Sequence, residues 1–134
     1  MFEQFKKFSP FQASLINSQE LAFVGDSVYS VFVRTMLVSK GNQKTNVLHK
    51  TANSFVKASA QSELIEKITP VLSEEEQNVV RRAVNYKTNN KAKHSSLEDY
   101  KNATGFEALI GYLYISNQTK RLEEILNLTL EGEN

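Results

Sequence analysis

The chain has 134 residues, a formal net charge of +1, 40% hydrophobic residues and no cysteine. That length suits one domain over 1–134, able to bury roughly two-thirds of its unfolded surface without covalent staples. The lack of cysteine excludes a disulfide framework, a thiolate metal centre and a cysteine nucleophile, and it is compatible with a reducing cytosol.

The opening MFEQFKKFSPF has neither a continuous apolar core nor a small-residue cleavage site, so no secretory signal is expected. No uninterrupted apolar run approaches the ~18 residues of a membrane span. The expectation is a cytoplasmic protein with no membrane partner.

Apolar spacing is helical almost throughout. A first long helix is predicted from about Ser18 to Leu37, with Leu21, Val24, Val28, Val31, Phe32 and Thr35 on one stripe and Ala22, Tyr29 and Val33 widening it. Gly41 and Asn42 end that segment. A second helix is predicted over about Thr45–Ile68, with Leu48, Ala52, Phe55, Val56, Ser59 and Ile65 inward, until Pro70 interrupts it. Ser73 followed by Glu76 is a capping-box pattern that starts a third helix, running to about Asn85. Positions 86–97 read as a polar, basic loop. A further helix follows over about Glu98–Ile115. Asn117 ends it, and Thr119 is placed to cap a last helix through Leu130. The fold class is therefore all-α, with about five or six helices.

Two acids stand out. Asp26 lies inside the first helix, off its apolar stripe, between Ala22 at i−4 and Ser30 at i+4, and directly after Gly25. Glu107 lies in ATGFEALIGYLY, with Thr104 at i−3, Gly111 at i+4, and the stripe Phe106, Leu109, Ile110 and Leu113 alongside. Small neighbours leave room for a hydrated cation or a nucleic-acid backbone. A glycine inside a helix costs about 1 kcal/mol relative to alanine, so Gly111 implies close packing or access. Carboxylates on facing helices can hold Mg²⁺, which prefers hard oxygen ligands. Spacing alone also fits a plainer reading, in which Asp26 pairs with Arg34 or a lysine and Glu107 is an ordinary surface residue.

Charge is uneven along the chain. From Arg81 to Ser96 there are Arg81, Arg82, Lys87, Lys91, Lys93 and His94 and no acid, while Glu74, Glu75 and Glu76 sit just before. Such asymmetry creates local positive potential that a near-zero net charge conceals. The alternative is a solvated surface loop. His49 and His94 are too far apart for a short metal motif. Tyr29, Tyr112 and Tyr114 read as packing residues.

Together, LAFVGDSVYSVFVR and FEALIGYLY resemble the two signature helices of the ribonuclease III catalytic domain. The closer likeness is to its short Mini-III subgroup, which lacks the double-stranded-RNA-binding domain. Tyr29 and Arg34 complete a GD-x-x-Y-x-x-x-x-R pattern, Asn46, Leu48, His49 and Lys50 resemble the next helix start, and the chain continues only briefly past the second signature. The likeness covers about Ser18 to Leu130.

The resemblance implies an all-helical homodimer that cleaves double-stranded RNA with Mg²⁺, for which Mn²⁺ can substitute, leaving 5′-phosphates and 3′-hydroxyls. It implies that Asp26 holds the metal and helps to position the attacking water, that Glu107 is a second metal ligand, and that Phe23 reaches across the dimer. It points to precursor large-subunit (23S) ribosomal RNA as substrate, and it leaves open whether a ribosomal protein presents that RNA. RRAVNYK resembles the subgroup's RNA-contacting segment, which assigns Arg81, Arg82, Asn85 and Lys87 to RNA and extends to Lys91 and Lys93. Ala83 and Val84 depart from that segment.

Full-length ribonuclease III has four active-site acids, and two of those positions are Ala22 and Thr104 here. The subgroup is similarly reduced. Waters, Thr104 or phosphate oxygens would have to complete a metal's coordination. That shortage keeps a second function in view, a noncatalytic helical RNA-binding or ribosome-assembly module. A third, a nucleotide hydrolase using Glu74–Glu76, is weaker, because acids in a first helical turn are favoured by the helix dipole alone.

Overall fold

The computed structural model describes residues 2–87 and 96–131. Among these the chain is helical and without strands. Its elements are α1 (Pro10–Ser14), α2 (Ser18–Ser39), α3 (Thr45–Val56), α4 (Ala58–Ile68), a 3₁₀ turn (Thr69–Val71), α5 (Glu74–Val84), α6 (Leu97–Ile115) and α7 (Thr119–Thr129). The all-α expectation holds, with two more helices than the sequence pattern resolves.

One extra helix is α1. Pro10 occupies its first turn, the Ser9 hydroxyl accepts from the Gln12 backbone N–H, and the Gln12 side chain accepts from the Ser9 N–H. It is a complete capping box on a five-residue helix. The other comes from a break in the predicted Thr45–Ile68 helix. Lys57 is extended, with φ −65° and ψ 155°, and serves both as the last cap of α3 and the first of α4. No glycine, proline or side-chain cap marks the break. Its cause is tertiary: α3 packs mainly on α2, whereas α4 packs mainly on α6. A straight helix could not serve both.

α6 is the centre of the domain. It packs against α1, α2, α4, α5 and α7, and its contact with α2 is the most extensive in the molecule. Every residue from Ala103 to Leu113 is buried except Glu107. Phe106, Leu109, Ile110 and Leu113 are wholly excluded from solvent. Tyr29 of α2 meets Phe106 edge-on at 4.9 Å between ring centroids, an arrangement that adds about 0.5–1.5 kcal/mol beyond area burial. Tyr29 and Tyr112 are thus core residues, as expected.

The buried face of α2 is rotated from the predicted one. It comprises Ser18, Leu21, Ala22, Gly25, Tyr29, Val33 and Leu37. Val31 is 65% exposed, and Val24, Val28 and Phe32 are only partly covered. These side chains line an apolar groove with Phe2, Phe5 and Leu122 instead. Both faces of α2 are apolar, so hydrophobicity does not choose between them. Backbone proximity does. A Cβ on Gly25 would lie 1.7 Å from the Glu107 carbonyl oxygen, and one on Gly111 would lie 1.9 Å from the Leu21 carbonyl oxygen. The helices cross glycine against glycine, which only that face permits. By length and composition alone α2 could cross a membrane, but its glycine-bearing face is committed to α6.

α5 begins as expected. Ser73 and Glu76 form the reciprocal capping box. Glu76 is also buried and takes two 2.8 Å bonds from the Arg121 guanidinium of α7. Burial pushes the Glu76 carboxyl upward, but Arg121 and the Ser73 N–H outweigh it and hold it below the usual glutamate range. The acidic run Glu74–Glu76 is thus a helix start with one structural ion pair. At the other end of α6, Asn117 adopts φ 58° and closes the helix. Thr119 does not cap α7: Gln118 takes that position, with no side-chain cap bond.

Candidate active site

The two acids singled out in the sequence meet. Asp26 lies one residue beyond Gly25, where α2 touches α6, and Glu107 is the α6 residue whose carbonyl faces that contact. Glycines at the crossing bring the backbones together and so bring the two carboxyls within reach of each other. Asp26 is exposed and Glu107 partly exposed, so the pair is open to solvent. Among the described residues Asp26 makes no ion pair, and Glu107 is the single break in an otherwise buried stretch of α6.

Electrostatics follow from placement. Burial raises the Glu107 pKa from the ordinary 4.5 to about 8, with Asp26 contributing both its charge and a hydrogen bond from protonated Glu107. Two carboxylates in a half-buried notch cannot both ionise cheaply unless a cation joins them. The donor set therefore fits a hard divalent ion such as Mg²⁺, which binds through one or two carboxylates and keeps several waters.

No cluster of three or more His, Asp or Glu side chains suited to a metal occurs among the described residues. The other positions around the pair confirm how sparse the protein ligands are. Ala22 is buried, and the Thr104 hydroxyl is buried and donates to the Tyr100 carbonyl at 3.0 Å, within its own helix.

A third side chain belongs to this place and was not found by sequence reasoning. Gln61 of α4 is 1% exposed and lies against Glu107, where it opposes the upward shift. Neither its amide nitrogen nor its amide oxygen has a hydrogen-bond partner in good geometry. A buried unpaired amide costs about 1–3 kcal/mol per polar group. The signal was present in outline: Gln61 shares the inward stripe of α4 with Ser62, Ile65 and Ile68.

The remaining predicted residues sit on other parts of the surface elements or outside the described region. Arg81 and Arg82 are exposed in the last turn of α5, Asn85 is its C-cap, and Lys87 is exposed just beyond. Arg81 bonds the Asn78 side chain at 2.6 Å. Lys91, Lys93 and His94 fall outside the described residues. His49 is exposed on α3, apart from any acidic cluster. Phe23 is 80% exposed, three residues before Asp26 on the same helix.

The ribonuclease III domain model matches residues 19–118, which span α2 through α6 and both carboxylates. The chain belongs to the ribonuclease III family. Within it, the chain is 48% identical over 111 residues to a Mini-ribonuclease 3 from Thermoanaerobacter sp., covering 83% of this chain and 78% of the relative. It is 44% identical over 139 aligned positions to a Mini-ribonuclease 3 from Clostridium tetani, covering 96% and 92%. The fold agrees with that of a Fusobacterium nucleatum protein solved by X-ray crystallography, with a TM-score of 0.82 and 29% identity over 95% of this chain and all of that one. The resemblance drawn from LAFVGDSVY and FEALIGYLY therefore holds over the whole domain, and the chain is a ribonuclease of the Mini-ribonuclease 3 type, an endonuclease by family.

Proposed function

We propose that this chain is a Mg²⁺-dependent endoribonuclease of the cytoplasm that cuts double-stranded RNA and matures the ends of large-subunit (23S) ribosomal RNA precursor. The observation that carries the reading is the convergence of Asp26 and Glu107 at the only opening in the buried part of α6. Mg²⁺, when bound, supplies charge stabilisation for a phosphoryl oxygen and acidifies water. Asp26 and Glu107 would hold the ion, and the more exposed Asp26 would help to position the attacking water. The glycine crossing fixes the spacing between the two carboxyls.

Arg81, Arg82, Asn85 and Lys87, with Lys91 and Lys93 beyond them, track the RNA backbone. Cations displace counterions from phosphates, and A-form RNA is read mainly by shape and backbone. Two copies of the chain act together, each with one active centre for one strand, and exposed Phe23 crosses between them. Dependence on a ribosomal protein would be a property of the substrate complex, since the catalytic groups all come from this chain.

The test is cleavage of a structured duplex RNA with and without Mg²⁺, comparing wild type with Asp26→Asn. The expected result is metal-dependent scission by wild type and a loss of at least ~10³-fold in the variant, the scale of removing transition-state charge stabilisation. Equal cleavage by both proteins would remove Asp26 from the mechanism. Binding of duplex RNA without scission would favour a noncatalytic RNA-binding module.

A further inference from the structure

Gln61 has no evident reason to be polar. Its side chain is buried where α4 packs on α6, at 1% exposure and against Glu107, and neither amide atom has a hydrogen-bond partner in good geometry. A leucine or methionine would fill similar space without leaving polar atoms unpaired. Buried unsatisfied groups in folded proteins call for an explanation, and a role at a functional site is one of the few available. The α4 turn that carries Gln61 is held in register on α6, because Asn102 Nδ2 donates to the neighbouring Ser62 hydroxyl at 3.0 Å.

We propose that Gln61 is a positioning residue for the carboxylate pair, its amide N–H donating to Glu107 so that this carboxylate is held ready for a divalent cation. This inference rests on the reading of Asp26 and Glu107 as the metal-holding pair. A neutral amide suits the task. It can orient a carboxylate without competing with the cation, whereas a buried lysine or arginine would neutralise Glu107 and displace the ion.

The test compares wild type, Gln61→Met, Gln61→Leu and Asp26→Asn. Mn²⁺ binding to the RNA-free protein is followed by electron paramagnetic resonance, alongside melting temperature and the Mg²⁺ dependence of duplex cleavage. Both Gln61 variants are expected to melt near the wild-type temperature, because no well-formed hydrogen bond is lost from the metal-free fold. They are expected to bind Mn²⁺ about 10–100-fold more weakly, the usual effect of removing a residue that orients a metal ligand. The Mg²⁺ needed for half-maximal cleavage should rise in proportion, with the KM for RNA unchanged. Wild-type Mn²⁺ affinity in both variants would overturn the inference. So would loss of the folded state in both, which would make the amide a structural element. Asp26→Asn separates the two levels. If it leaves Mn²⁺ binding intact, the metal-holding pair itself is wrong. If it abolishes binding while Gln61→Met does not, only the role of Gln61 fails.

Discussion

The Gly25 backbone lies directly against the backbone carbonyl of Glu107, so close that a Cβ on Gly25 would sit 1.7 Å from that oxygen. Nothing in this contact can swing aside, because both partners are main chain. Gly25→Ala sets a gain in helix propensity of up to about 1 kcal/mol against forced separation of α2 and α6. Overpacking costs about 1–3 kcal/mol even where side chains can adjust. The clash decides the sign, and Gly25→Ala is expected to lose at least about 2–3 kcal/mol of stability in chemical denaturation. Cleavage should fall as well, since Asp26 moves with α2. An alanine variant as stable as wild type would contradict the close crossing.

Metal-free protein should lose stability as pH rises. Folded Glu107 holds its proton up to about pH 8, against an ordinary value of 4.5. Between those values the folded state binds more protons than the unfolded state, so unfolding free energy declines with pH. Its contribution is complete below about 4.5 and is lost as pH climbs through 8. Glu107→Gln removes the titration. The variant should match wild type near pH 4 and exceed it by about 1–3 kcal/mol at pH 7.5 in EDTA. Parallel stability curves for the two proteins would show that burial and Asp26 do not perturb Glu107 as described.

Replacing Arg81 and Arg82 together by alanine is expected to weaken duplex RNA binding without altering single-turnover cleavage at saturating RNA. Each lost phosphate contact lowers the slope of log affinity against log salt by about 1. An unchanged slope would assign these exposed arginines to the solvated surface.

Phe23 offers a large apolar side chain at 80% exposure, three residues before Asp26 on α2. An aromatic anchor buried at a subunit contact is typically worth about 2 kcal/mol or more. Phe23→Ala should therefore weaken self-association about 30-fold or more in sedimentation analysis. A wild-type chain that stays monomeric at micromolar concentration would remove the dimer and this role together.

The two acids of the candidate site stood out in sequence because they break local rules, but local spacing also fitted a plainer reading, and the resemblance of LAFVGDSVY and FEALIGYLY to a known family was what joined them. Asp26 is an acid within an apolar helix, and Gly111 is a costly residue beside Glu107. The capping box at Ser73 and Glu76 was equally plain, since its partners are three residues apart. What stayed hidden depends on distant partners. The rotated face of α2 was chosen by a glycine contact with a helix some eighty positions away. The break at Lys57 has no local signal, because α3 and α4 diverge only to reach different helices. The Glu76–Arg121 bond and the burial of Gln61 arise in the same way.

The position of α6 has a consequence for biosynthesis. Asp26 arrives early in the chain and Glu107 late, and the notch between them is built only when α6 threads into the middle of the other helices. A partly made chain that has reached α5 carries one acid and no centre. The order of its own synthesis thus acts as a safety catch: a ribonuclease built this way is unarmed until its domain is whole.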